Sequence, residues 1–485
     1  MSLPSLPDGL ITPRQEQLLQ VIFGPAEGAE ERFRIWEQGL DLTDLDKGSY
    51  RLYPQLYRRI RDFAPDHPFL QRLKGVFRHT FFRNQLLFRW ALEVIDRLTA
   101  ANIDCIVLKG ASLVSATALS AGMRPMADVD LLVPTRDAER ALHAADPGFG
   151  GLLDAPDRMR ATVLLRHGLT VRDGNDLQID LHWRLADIWR PGADLDRLFW
   201  DRAETVTLQG RAIRVLAPTE LLYHLVVHGV PRNPTPPIRW IADALELIAA
   251  DGERIDWTRL VGVAHHYRRR LLLGTGLAYL AGTFAAPVPP DVLRALGEPV
   301  DMDEQAEFDL LTRDWSPPDH LPAARRVAPM MLPVLNERVP GHGLVVYMTD
   351  ASLRPSILEW VRGLGAEFVC EFSPDSAIGR VVRTQIAAHG PPPAGQLRLL
   401  RFEVAEGRLP VRHLYADLRR PSAGDARLRV FCTSLRSWPA GAVVLRLDRP
   451  GRMLLPDLVG AQAIAPGSAC PIWPGLFTAD AFRPG

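Results

Sequence analysis

Two short runs place carboxylates in segments that are otherwise apolar, and this limits how the chain can fold. DVDLLV (Asp128–Val133) and LQIDLHW (Leu177–Trp183) both read as strands, whose side chains alternate between two faces. Asp128 and Asp130 then share one face, with Val129 and Leu131 on the other. Likewise Gln178, Asp180 and His182 share a face, while Leu177, Ile179, Leu181 and Trp183 turn to the core. If the two strands are neighbours, Asp128, Asp130 and Asp180 converge above one sheet face. Carboxylates so close repel and raise one another's pKa, and divalent cations relieve that. Magnesium takes oxygen ligands from one or two carboxylates, phosphates and water. Two such ions about 3.5–4 Å apart can clamp the attacking and leaving oxygens of an in-line displacement. One would hold a triphosphate and the other would lower the pKa of an acceptor hydroxyl, with Asp180 as ligand or base. An Asp-x-Asp pair alone is commonly solvated charge, but here it interrupts an apolar strand.

The flanking residues alternate strand and helix. Cys105–Leu108 is a short apolar strand ending at Lys109-Gly110, residues 111–121 are small and helical in character, and Arg136–Ala145 suits a helix. Leu164–Val171 and Leu177–Trp183 read as strands joined through Asp173-Gly174, a hairpin signal. Lys109-Gly110-Ala111-Ser112 closes a strand and opens a helix. Glycine there admits a phosphate to the backbone, and a helix N-terminus favours anions. Lys109 adds a point charge for the β/γ-phosphates. Neither GxxxxGK[ST] nor GxGxxG occurs. Arg124, four residues before Asp128, either binds phosphate or pairs with an aspartate. His182 either touches nucleotide or acceptor, or holds Asp180 by a hydrogen bond.

Composition sets limits on the whole. A chain of 485 residues predicts two to four domains. Its zero formal charge argues against a coat of basic charge for nucleic acid, leaving open a local basic groove. Only Lys47, Lys74 and Lys109 are lysine among 57 basic residues, so Lys109 stands out. The four cysteines form no CxxC pair, which speaks against zinc and for a reduced, cytoplasmic setting. The first residues lack the basic and apolar regions of a signal peptide. Leu271–Val288 is uncharged and just long enough for a membrane span, yet its glycines and Pro287 favour a buried helix, so no span is expected.

The expected fold class is α+β, a small mixed-sheet core embedded in helical regions with an additional C-terminal α/β or mostly β region. Residues 1–100 are helical, 101–190 form the core, 191–340 are a helical region completing the cleft, and 341–485 are a mixed region of unassigned role. In the third segment Pro218-Thr219-Glu220 starts a helix with Thr219 as cap. His224 and His228 are four apart but lack HExxH, so they read as a helical pair facing cleft or core rather than as zinc ligands. Trp240 reads as core, Asp243 as a cap or a partner for Arg239, and His265-His266 as surface. In the fourth segment Leu344–Met348 and Phe368–Phe372 read as strands flanking a helix near 353–363, followed by short β-like runs between 397 and 460. Residues 391–485 hold 13 Arg against 7 Asp plus Glu, a net of +6, which suits either an acidic or phosphate-bearing acceptor or plain solvation.

Taken together, LKGASLVSATALSAGMRPMADVDLLV (Leu108–Val133) and IDLHWRL (Ile179–Leu185) resemble the DNA polymerase β-type nucleotidyltransferase superfamily. They are most similar to a bacterial family labelled only as uncharacterised nucleotidyltransferases. The resemblance continues in LAPTELLYHLVVHG (Leu216–Gly229), IRWIADALELI (Ile238–Ile248) and DWTRL (Asp256–Leu260), covering roughly residues 30 to 290. It implies that Asp128, Asp130 and Asp180 are catalytic and bind metal, and that Gly110 and Ser112 meet phosphate; by their own chemistry Lys109, Arg124 and His182 are expected to join the nucleotide-binding set. It implies Mg²⁺ or Mn²⁺ as cofactor, ATP or another NTP as substrate, and NMP transfer to a hydroxyl with release of pyrophosphate. The superfamily's Gly-Ser pair is replaced here by Lys-Gly-Ala-Ser. Abortive-infection-type nucleotidyltransferase toxins have a similar lysine-glycine and arginine arrangement, so the acceptor is a small molecule, a peptide or protein, or tRNA. The alternative is a non-catalytic nucleotide-binding scaffold. Oligomeric state is not readable from the sequence.

Overall fold

Six short strands make one mixed sheet: β1 (Ile106–Val107), β2 (Asp128–Leu132), β3 (Gly168–Arg172), β4 (Gln178–His182), β5 (Glu204–Leu208) and β6 (Arg211–Val215), in the order β3-β4-β2-β1-β6-β5. β2 runs parallel to β4 and antiparallel to β1, β1 runs parallel to β6, and β3–β4 and β5–β6 are hairpins. The alternation works as expected: Val129, Leu131, Ile179 and Leu181 are at most 2% exposed. Burying each such side chain contributes roughly 1.5–3 kcal/mol. A one-residue slip of either strand would send its apolar set to the opposite face, so this burial pins the register.

The computed structural model describes residues 3–40, 46–117, 119–146, 163, 167–174, 177–185, 197–231 and 238–312, and six strands between 344 and 447. The residues up to 312, Val163 apart, form one compact unit, and the later strands belong to another.

Turn chemistry separates the two hairpins of the sheet. In β3–β4 the Asp173 amide donates to the Leu177 carbonyl (3.1 Å) and the Leu177 amide donates to Asp173 Oδ1 (2.7 Å). The β5–β6 hairpin lies within residues 191–340, where the sequence suggests helices, so the sheet is wider than expected. It turns at Gln209-Gly210, with φ of +47° and +78°. A two-residue hairpin turn needs that left-handed pair, but Gln-Gly lacks the Asn-Gly or Asp-Gly signature that would have marked it.

Helices surround the sheet. Before it lie Pro13–Phe23, Ala29–Glu37, Lys47–Tyr50, Tyr53–Ile60 and the 33-residue Pro68–Ala100, which spans about 50 Å at about 1.5 Å per residue. After it come Pro218–Gly229, Arg239–Asp251, Trp257–His266, Arg270–Phe284, Pro290–Leu296 and Met302–Thr312. Pro218–Gly229 begins where Pro218-Thr219-Glu220 predicts, but Thr219 is not its cap. Ala217 holds the cap position, and the Thr219 hydroxyl accepts from the Asp256 amide (2.9 Å). The Asp256 carboxylate in turn caps Trp257–His266 by accepting from the Arg259 amide. The uncharged segment becomes Arg270–Phe284, buried at Leu271, Leu272, Leu273, Leu277 and Leu280. Among the described residues no helix is long and apolar enough to cross a membrane.

The second unit also holds a six-stranded mixed sheet, made of β7 (Leu344–Thr349), β8 (Glu367–Phe372), β9 (Leu397–Glu403), β10 (His413–Arg419), β11 (Arg427–Thr433) and β12 (Val443–Leu447), ordered β12-β7-β8-β11-β10-β9. The strands expected at 344–348 and 368–372 are present, while the helix expected near 353–363 lies outside the described residues. Cys370 and Cys432, far apart in sequence, are register partners on β8 and β11.

Close helix packing in the first unit depends on small residues. A Cβ at Gly229 would lie 2.1–2.5 Å from Trp240, itself buried as expected. Gly229→Ala therefore lowers unfolding stability by about 1–3 kcal/mol. Chemical denaturation checks this, and an unchanged midpoint would contradict the packing.

Candidate metal and nucleotide site

The parallel pairing of β2 with β4 sets Asp130 opposite Asp180 and Asp128 opposite Gln178. Asp130, Asp180 and His182 each offer a ligand atom, and these atoms lie within 4.8 Å of one another. Asp128 stands one pair further along and is outside that group of three. On the far side of β4, Thr170 is the register partner of Asp180, and its hydroxyl donates to Asp180 Oδ1 (2.6 Å). Thr170 is not among the residues singled out from sequence. The hairpin signal could have found it, because its paired positions lie equally far from residue 175.

β1 delivers the lysine. The Leu108 amide donates to the Asp130 carbonyl (2.9 Å), which seats the next residue beside the Asp130 side chain. Lys109 has φ +47°, a conformation uncommon in a residue with a Cβ. Its Nζ donates to Asp130 Oδ1 at 2.7 Å, and His182 Nε2 lies 3.0 Å from the same oxygen. Burial alone would raise the Asp130 pKa. The Lys109 charge and the hydrogen bonds from His182 and Lys109 outweigh it and hold the carboxyl well below the usual range. For His182 burial dominates, lowering its pKa despite the pull of Asp130, so the neutral ring donates through Nε2. The histidine thus holds an aspartate, but Asp130 rather than the Asp180 expected. The His167 ring stacks on it at 5.3 Å.

Asp128 has no such support. Burial raises its pKa, and the charges of Asp130 and Asp180 raise it further, with only partial relief from Lys109 and Arg239.

The residues expected to cradle phosphate are arranged differently from expectation. Arg124 donates from Nε to Asp243 Oδ1 (2.9 Å) and from Nη2 to Asp243 Oδ2 (2.6 Å), and both side chains are buried. Of its two readings, phosphate contact or aspartate pair, the geometry has the pair. Asp243 therefore bonds Arg124, while Arg239 donates to the Pro125 carbonyl (2.7 Å). The Asn84 amide clasps the same segment, donating to the carbonyls of Ala121 (2.6 Å) and Arg124 (2.8 Å). Gly110 lies under the guanidinium: a Cβ there would sit 1.6 Å from Arg124 Nη1. Glycine at 110 therefore seats the arginine. Ser112 is fully buried and its hydroxyl has no hydrogen-bond partner among the described residues, so it does not face an open phosphate site. His224 is buried with neither ring nitrogen partnered among the described residues, and His228 is exposed. Neither belongs to the metal-compatible group among the described residues.

These charges yield two expectations. Asp243→Ala leaves the Arg124 guanidinium buried without its partner, which costs about 3–5 kcal/mol of stability; a denaturation midpoint shift of that size checks it. Asp128 has a folded-state pKa above its ordinary value, so its ionised form opposes folding at neutral pH, and the penalty fades as acid protonates it. Asp128→Asn therefore melts higher than the parent at pH 7 in chelator, and the gap closes on acidification. Identical melting curves at every pH would contradict the electrostatics.

All of these side chains fall in residues 47–285, the segment matched by a family model described as uncharacterised nucleotidyltransferase. No curated protein and no solved structure gives a match. The matched segment, close to the extent expected from the sequence, holds β1 to β6 and the Asp130–Asp180–His182 group. Residues 47–285 are thus consistent with a family of uncharacterised nucleotidyltransferases.

Proposed function

We propose that the chain transfers a nucleoside monophosphate from an NTP to a hydroxyl of an acceptor, with Asp128, Asp130 and Asp180 holding Mg²⁺ or Mn²⁺. The observation that carries this reading is the side-by-side pairing of Asp130 and Asp180, with His182 beside them, in a segment of nucleotidyltransferase type. The donor chemistry suits a hard divalent cation, since carboxylate oxygens dominate and His182 directs Nε2 at Asp130 in the manner of an orienting partner. Burial first, and then the charges of Asp130 and Asp180, raise the Asp128 pKa beyond what Lys109 and Arg239 offset. When bound, such cations neutralise phosphate charge and lower the pKa of the acceptor hydroxyl.

The side chains have separate tasks in this reading. Thr170 and His182 hold Asp180 and Asp130 through one oxygen each. Lys109 serves as the provisional counter-ion of Asp130, and its flexible stem lets it turn to a phosphate once that charge is met otherwise. Asp180, half-buried like Asp128, takes the role of ligand or base toward the acceptor.

A second reading, a non-catalytic nucleotide-binding scaffold, also has an observation behind it: Lys109 already supplies a cation to Asp130. Intact-mass or radiolabel transfer from the four NTPs in cell extract separates the two. The transferase reading expects Mn²⁺- or Mg²⁺-dependent labelling that falls by at least about a hundredfold in Asp130→Asn and in Asp180→Asn. His182→Ala should weaken Mn²⁺ affinity about 10–100-fold, measured by calorimetry. Full transfer in both aspartate variants would sink the assignment, and NTP binding without pyrophosphate release would favour the scaffold.

A further inference from the structure

The long helix Pro68–Ala100 carries a pattern that neither the core nor the carboxylate site uses. From Pro68 to Leu92 it has five basic residues and no Asp or Glu, within a chain whose formal charges cancel. With 3.6 residues per turn, Lys74, Arg78, Phe81, Phe82, Gln85 and Arg89 fall along one stripe. The adjoining face is buried at Leu73, Thr80, Asn84, Leu87 and Phe88. On the stripe Phe81 is 44% exposed and Phe82 65% exposed. Arg78 and Arg89 are exposed and Lys74 is half-buried. Lys74 and Arg78 make no ion pair among the described residues, and Arg89 has only the exposed Glu93 one turn on (3.4 Å). Packing does not explain two adjacent open phenylalanines flanked by Lys74 and Arg78, which make no ion pair among the described residues.

The mixture points to one class of ligand. Cations that track a phosphate backbone, interleaved with aromatic faces on which bases stack, are what an unpaired nucleic-acid strand requires. A helix lying on a membrane separates its apolar face from its basic flanks, whereas here both kinds share one line. An acidic peptide would account for the cations but leave the phenylalanines exposed.

The stripe also borders the segment leading to Asp128. Phe77, one turn before Phe81, lies against Gly122, where a Cβ would be 2.4–2.8 Å from its ring. Asn84 of the same helix holds the carbonyls of Ala121 and Arg124. At the other end Gln209, in the β5–β6 turn, donates to Gln85 Oε1 (2.7 Å).

We propose that this stripe docks single-stranded nucleic acid, with Lys74, Arg78 and Arg89 on its phosphates and Phe81 and Phe82 against its bases. That the docked strand is the nucleotidyl acceptor rests on the transferase reading; docking itself does not.

Fluorescence anisotropy of a labelled single-stranded RNA of about twelve nucleotides, with the full chain and no NTP, tests it. The parent should bind at low salt and weaken as salt rises. Lys74→Gln/Arg78→Gln/Arg89→Gln should reduce the log–log salt slope by about 2, at about 0.7 per phosphate contact on a single strand. Phe81→Ala/Phe82→Ala should weaken binding at least about fivefold, with circular dichroism and melting temperature unchanged because both side chains are exposed. A parent chain that binds the RNA but shows no transfer from any NTP removes the catalytic reading and leaves this one standing. Docking is overturned by no binding at low salt, by affinities indifferent to both stripe variants, or by phosphatidylserine vesicles or an acidic peptide binding more tightly than RNA through the same residues.

Discussion

Burial of Val129, Leu131, Ile179 and Leu181 on one face of the β2–β4 pair is the constraint from which the site follows. A strand alternates its faces, so hiding these four side chains leaves the aspartates on the other side. The gain is roughly 1.5–3 kcal/mol for each buried side chain, comparable in sum with the whole net stability of an ordinary domain, about 5–15 kcal/mol. That is large enough to impose close approach on Asp130 and Asp180. Hydrophobic packing, rather than any attraction among the carboxylates, assembles the acidic cluster.

The electrostatics then divide unevenly. Asp130 receives the ammonium of Lys109 and the imidazole of His182 on one oxygen. Asp180 receives the Thr170 hydroxyl. Asp128 is left with burial and repulsion that Lys109 and Arg239 only partly offset, and its raised pKa records the deficit. A site meant only to stabilise the fold would gain by replacing such a group with an uncharged one. Its presence suits the cation-binding role proposed for the site, which lies in the segment that matches a nucleotidyltransferase family model.

A separate buried pair, Arg124 with Asp243, bonds the segment before β2 to the helix Arg239–Asp251. The segment between the helix Lys109–Ala116 and β2 is thus tied by one ion pair and by Asn84, and the glycine at 110 clears the space. The arginine and the glycine both act one step behind the carboxylates, holding the backbone from which Asp128 and Asp130 project.

The alternation in DVDLLV and QIDLHW was enough to place three aspartates on one sheet face, because strand periodicity is local and burial enforces it. The helical start at Pro218 and the buried helix of Arg270–Phe284 were legible for the same reason. What the sequence left undecided were the pairings between distant residues. Arg124 meets Asp243 across 119 positions and His182 meets Asp130 across 52, and no local pattern distinguishes those partners from a phosphate or from Asp180. Ser112 looked available for a ligand only until packing enclosed it. The β5–β6 hairpin, turned by an unmarked Gln-Gly, was likewise settled by pairing with β1. The sequence by itself determined which side chains share a face, since that depends on a two-residue repeat. The tertiary structure alone decided which charges neutralise each other, since that depends on distances between elements far apart along the chain.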